Sequence, residues 1–136
     1  MNRSMARAQA MSLVYEWEMG GDGGDDTRFN LLEVKQGDPE LGFMNELYEG
    51  VVAHQEELDP LISEYCRGWT LERLSRVDLA ILRLGVYEMM YGDNPMPVII
   101  NEAVELANTY SNEKAGPFIN GVLGSISRSG KINRQE

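Results

Sequence analysis

Apolar residues recur along most of this chain at steps of three and four, the spacing that lines up one face of an α-helix. Ala6, Ala10, Leu13, Val14 and Trp17 share such a face. Gly20-Gly21 ends that helix, because glycine is costly inside a helix and suits the left-handed residue that closes one. Residues 20–28 carry four glycines and three aspartates and read as a mobile loop. A short helix is predicted around 30–34, followed by a break at Gly37-Asp38-Pro39. A second long helix is predicted over 41–55, with Phe43, Leu47, Tyr48 and Val51 facing inward. Asp59-Pro60 reads as an N-cap with proline in the first turn, opening a separate short helix through Leu61, Ile62 and Tyr65.

After a turn at Arg67-Gly68-Trp69, residues 70–74 form another short helical piece. Ser75-Arg76-Val77-Asp78 matches a capping box with Asp in place of Glu. Val77, Ala80, Ile81, Leu84 and Tyr87 follow it in the clearest amphipathic pattern of the chain. Gly92 to Pro95 stops that helix. Pro97 opens the next, with Ile100, Ala103, Val104, Ala107 and Tyr110 on its face. Residues 111–117 connect it to a last helix holding Phe118, Ile119, Val122, Leu123 and Ile126. Strand signals are scarce. The predicted fold is all-α, a compact bundle of six or seven helices. It is read as one domain over 1–136, with N-terminal helices and an acidic loop to about 57, a helical subdomain over 58–128, and a frayed polar tail over 129–136.

Composition adds constraints. The chain has 136 residues, and its 43% apolar content is enough to build a core. The single Cys66 excludes an internal disulfide, no run approaches a membrane span, and the N-terminus lacks a signal-peptide stretch. The cytoplasm is therefore the expected address. His54 is the only histidine, which leaves no zinc set and no nucleophile–histidine–carboxylate constellation. Neither catalysis, a cofactor nor a metal is expected.

The net charge of −10 argues against nucleic-acid binding until its distribution is considered. Residues 16–64 hold 14 acids and two bases, whereas residues 65–136 hold eight of each, and Arg3 and Arg7 precede any acid. If the two ends fold together, these arginines and the neutral half form a local cationic patch away from the acidic middle.

Three stretches combine apolar periodicity with charges that a bundle does not require: Val77 to Glu88, Ile100 to Ala107, and Phe118 to Leu123. With the first-helix run Arg7 to Trp17 and the segment Trp69-Thr70-Leu71-Glu72-Arg73-Leu74, the sequence closely resembles the NusB family of transcription antitermination factors. The resemblance spans roughly residues 3–127. It implies two small packed helical subdomains and binding to the single-stranded boxA element of nascent ribosomal RNA. It also implies pairing with the small-subunit ribosomal protein that acts as NusE, and loading onto RNA polymerase with other Nus factors.

Within that resemblance, Arg3, Arg7 and Tyr15 match first-helix RNA contacts, and Tyr65, Glu72 and Asp78 match positions near the RNA path. Phe118 matches an aromatic at the start of the last helix, and Lys114 stands where the family often has an acid. Rings that stack on bases, cations that hold phosphates and carboxylates that accept from base amino groups are what single-stranded RNA recognition needs. Plainer roles remain open: Tyr15 and Phe118 as core, Asp78 as a cap, Glu72 on a solvated face. Arg83, Glu88 and Glu102 are read as a structural network, a half-buried arginine joining two helices through carboxylates. The alternative function is a protein-interaction or homodimeric helical module with little RNA binding of its own.

Overall fold

The structure, a computed structural model, describes residues 1–134. Five α-helices carry it: α1 (Arg3–Glu18), α2 (Leu41–Tyr65), α3 (Arg76–Tyr91), α4 (Met96–Tyr110) and α5 (Ala115–Arg128). Among the described residues there is no strand, and no helix is long and apolar enough to cross a membrane. A π-helical turn over Asp26–Leu31 and a 3-10 turn over Leu71–Arg73 complete the regular structure. The turn predicted around 30–34 therefore starts earlier and is wider than an α-helix.

Helix α3 is the axis of the molecule. Every residue from Asp78 to Met89 is buried, and all four other helices pack on it. A helix apolar on every side belongs inside a bundle rather than on its surface. Ser75 caps it as expected, its Oγ accepting the Asp78 N–H at 3.0 Å. The Asp78 carboxylate does not complete a capping box with Ser75. Instead its Oδ1 accepts from Ser111 Oγ at 2.7 Å, tying the start of α3 to the end of α4. Close approach to α3 is made possible where α2 lacks a side chain: a Cβ at Gly50 would lie 2.2 Å from the Tyr87 ring.

Two helix boundaries differ from the sequence pattern. The break expected at Asp59-Pro60 is absent, and α2 runs on to Tyr65 with one non-helical residue, His54 (φ −112°, ψ 15°). Proline crowds the preceding turn and removes one hydrogen bond, which kinks a helix without ending it. Val51 and Leu58, both fully buried, hold the two sides of the kink against the same core. Asp59 is thereby free of the capping role and faces Arg83. Helix α5 begins at Ala115, three residues before Phe118, so Pro117 falls in its first turn, where proline is tolerated.

The boundary read near residue 57 lies inside α2, and the buried residues of all five helices form one continuous core. The tail read as frayed is held as far as it is described. Lys131 Nζ lies 2.7 Å from Glu64, and the Arg134 guanidinium donates to the Gly92 carbonyl at 2.6 Å. Gln135 and Glu136 lie outside the described residues.

Candidate nucleic-acid interface

The first-helix arginines do not behave alike. Arg7 stands four and seven residues before Met11 and Val14, on the face of α1 that packs inward. Its side chain is only 5% exposed. Nε and Nη2 each donate to Glu88 at 2.9 Å in a bidentate pair, and Nη1 lies 3.6 Å from Glu102. Burial is the strongest single influence on this guanidinium and works against its charge. The bonds and charge of Glu88, with Glu102 and Glu40, outweigh it and leave the pKa raised. Arg7, expected from the sequence at the RNA, is thus placed in the interior as a paired structural cation. Arg3 is exposed, but its Nε sits 2.8 Å from Glu40 and its guanidinium lies 3.9 Å above the Phe43 ring. The groove it lines also contains Glu46, Glu88 and Asp93, carboxylates that repel phosphate.

Arg83, Glu88 and Glu102 were expected in one network, and the structure divides them between two. Arg83 donates from Nε and Nη2 to Asp59 at 2.9 Å and from Nη1 to Glu18 at 3.1 Å. Glu88 and Glu102 belong to Arg7. The principle of a buried arginine bridging helices holds at both places, but the partners are exchanged. Arg83 occupies the α3 turn facing α1 and α2, whereas Glu88 lies more than one turn further along.

These pairs also run α1 antiparallel to α3: residue 7 meets residue 88, and residue 18 meets residues 76 and 83. Ten residues of helix, about 15 Å at 1.5 Å per residue, separate Asp78 from Glu88. Arg3 and Arg7 lie towards the far end of α3 from Asp78, Lys114 and Phe118 and share no groove with them. The patch expected from the joining of both termini is therefore not formed.

A different cluster forms at the N-terminal end of α3. One groove of about 380 Å³ is lined by Trp69, Arg73, Leu74, Ser75, Asp78, Asn112, Lys114, Ala115 and Phe118. A second, of about 360 Å³, is lined by Tyr65, Arg67, Trp69, Pro117, Phe118, Gly121, Val122 and Ser125. Trp69 and Phe118 line both. Four predicted residues, Tyr65, Asp78, Lys114 and Phe118, are thus brought together. Glu72 is exposed on the adjoining 3-10 turn. Tyr15, 39% exposed, lies one turn from Glu18 on α1. Arg76 connects that end of α1 to the 3-10 turn: Nη1 donates to Glu18 at 2.8 Å and Nη2 to the Leu71 and Leu74 carbonyls at 2.7 Å each.

Arg67, Trp69, Arg73 and Arg76 were not among the site residues expected from the sequence. Trp69 is 52% exposed, unusual for the largest apolar side chain, and it follows Gly68 in a left-handed turn (φ 77°). Among the described residues no ion pair involves Arg67, Arg73 or Lys114, nor Lys35, Arg128 or Arg134, whereas Arg3, Arg7, Arg28, Arg76, Arg83 and Lys131 are all paired; only the first three line the two grooves. This corner of an acidic molecule therefore presents cations free to meet phosphate beside the exposed Trp69 ring and the half-buried Tyr65 and Phe118 rings. The other residues stabilise it: Cys66 is buried beneath the turn, and the Trp69 N–H donates to the Cys66 carbonyl at 3.0 Å.

A family model described as the NusB family matches residues 4–128. The chain belongs to the NusB family. The transcription antitermination protein NusB of Acetivibrio thermocellus is 43% identical over 146 aligned positions, covering 100% of this chain and 99% of that protein. Among solved structures, NusB of T. maritima superposes with a TM-score of 0.83 at 28% identity, covering 98% of this chain and 94% of that one. A crystal structure of the antitermination factors NusB and NusE in complex with dsRNA matches with a TM-score of 0.82 at 29% identity, covering 93% and 96%. The NusB family is a transcription antitermination family and not an enzyme family.

Proposed function

We propose that this chain is a transcription antitermination factor. In this reading it holds the single-stranded boxA element of nascent ribosomal RNA on the face formed by the 3-10 turn and the starts of α3 and α5. The observation that carries the reading is local: three cations without carboxylate partners, Arg67, Arg73 and Lys114, surround the exposed Trp69 ring and the half-buried Tyr65 and Phe118 rings on a protein of net charge −10. Phosphates are attracted there and repelled by the acidic stretch over residues 16–64, which orients the strand. Asp78 accepts from a base amino group with the carboxylate oxygen that Ser111 does not use, and Glu72 does the same at the rim. Tyr15, beyond Arg76, extends the face along α1.

Three cations alone make a small electrostatic grip, so a second protein is part of the reading. NusE binds beside this face, the pair holds boxA more tightly than either protein does, and the complex joins RNA polymerase with other Nus factors in the cytoplasm. The relative solved with NusE and dsRNA supports both the partner and the ligand class. The test is fluorescence anisotropy of labelled boxA RNA against the chain alone and against its mixture with NusE, over a range of salt. The expected result is tighter binding with NusE and a steep loss of affinity as salt rises. Equal, negligible binding in both series overturns the proposal. Sedimentation at several concentrations reports whether the binding species is the monomer or a homodimer.

A further inference from the structure

We infer that Trp69 is a stacking platform for one unpaired base, and that the Trp69–Phe118 ridge seats two successive nucleotides, one in each groove. The inference rests on the RNA-binding reading and adds to it the residue that does the stacking and the direction of base selection. The two grooves share only Trp69 and Phe118, so these rings form the divide between them. Each groove lies within the size range of small-molecule sites, about 300–1,000 Å³. Each also has its own cation supply: Arg73 and Lys114 on one side, Arg67 on the other. A strand crossing the ridge therefore meets a positive charge before and after it, at the places its phosphates must pass.

The backbone that carries the indole is fixed by the bond to the Cys66 carbonyl and by the left-handed residue before it, while half of the residue's surface stays in solvent. An exposed ring with only two side-chain torsions on a fixed backbone stacks on a base at modest entropic cost. The grooves differ in one respect that bears on selectivity. The first contains the Asp78 carboxylate, so it favours a base with an exocyclic amine, namely adenine, cytosine or guanine. The second has no acidic residue in its walls and accepts any base.

The chain contains two tryptophans, and the other, Trp17, packs against the core beside Arg83. The variant W17F therefore makes Trp69 the only indole. Unlabelled single-stranded boxA RNA should quench its emission, and the same RNA annealed to its complement should not, because stacking needs an unpaired base. In anisotropy titrations Trp69→Ala should weaken single-strand binding by about 5- to 100-fold, the loss of one stacked base, while Trp69→Phe retains most of the affinity. Asp78→Asn should narrow the difference in affinity between oligo(C) and oligo(U). If RNA binds by anisotropy while Trp69 emission is unchanged and Trp69→Ala stays within twofold of the parent, this inference is overturned and RNA binding stands. Equal quenching by the duplex also overturns it. If no RNA binds, with or without NusE, both readings fall together.

Discussion

Removing the Arg7 guanidinium tests the assignment of this residue to the interior. Arg7→Met keeps a long side chain of similar reach and deletes the charge. Glu88, also 5% exposed, then remains in the core without its bidentate partner. Stranding one member of a buried ion pair typically costs about 3–5 kcal/mol. Against a total stability of about 5–15 kcal/mol for an ordinary domain, that is a large fraction. At roughly 3–5 °C per kcal/mol for a chain of this size, the midpoint of thermal unfolding should fall by about 10–20 °C. Glu102, 23% exposed, loses a weaker contact and adds little, because water replaces the arginine there.

The double variant Arg7→Met/Glu88→Met should recover most of the loss, since an apolar pair of similar volume needs no compensation in a buried site. Urea unfolding followed by far-UV circular dichroism measures each free energy, and an unchanged denaturant slope shows that the same structure is being lost. RNA affinity, measured well below the unfolding midpoint, should stay within about twofold of the parent. A single variant within 1 kcal/mol of the parent refutes the buried-pair argument. A stable single variant with strongly weakened RNA binding restores Arg7 to the interface.

Other outcomes follow from the same geometry. Ser75→Ala should cost about 0.5–2 kcal/mol in thermal unfolding, because the Asp78 N–H loses its acceptor. Gly50→Ala should destabilise by about 1–3 kcal/mol despite alanine's better helix propensity, since the new methyl drives the Tyr87 ring out of its tilted contacts with His54 and Tyr91; a stabilised variant would show that the ring gives way freely. Hydrogen bonds from Tyr91, then His54, hold the Glu57 carboxyl below the ordinary carboxylate value. A folded pKa below the unfolded one gives stability that is present above about pH 4.3 and is lost as pH falls through the folded value. Tyr91→Phe should move the Glu57 midpoint upward in a carboxyl-carbon NMR titration, and an unmoved midpoint contradicts the assigned cause.

Helix existence, helix faces and the Ser75 cap were legible in the sequence because each depends on residues within one or two turns. Even the burial of Arg7 was written in its spacing to Met11 and Val14, although the resemblance to RNA contacts drew attention elsewhere. Partner choice was not legible. Arg7 and Glu88 are 81 residues apart, and Arg83 and Asp59 are 24 apart, so only the antiparallel docking of α1 and α2 on α3 decides which carboxylate meets which arginine. The same holds for the candidate site. Nothing local distinguishes the exposed Trp69 from a core tryptophan, and nothing local shows that Arg67, Arg73 and Lys114 escape the acids that pair with Arg3, Arg7, Arg28, Arg76 and Arg83. Periodicity fixes what a segment becomes, because backbone hydrogen bonding and side-chain direction are short-range. Which charges stay unpaired, and which rings stay in water, is decided by packing between segments far apart in the chain.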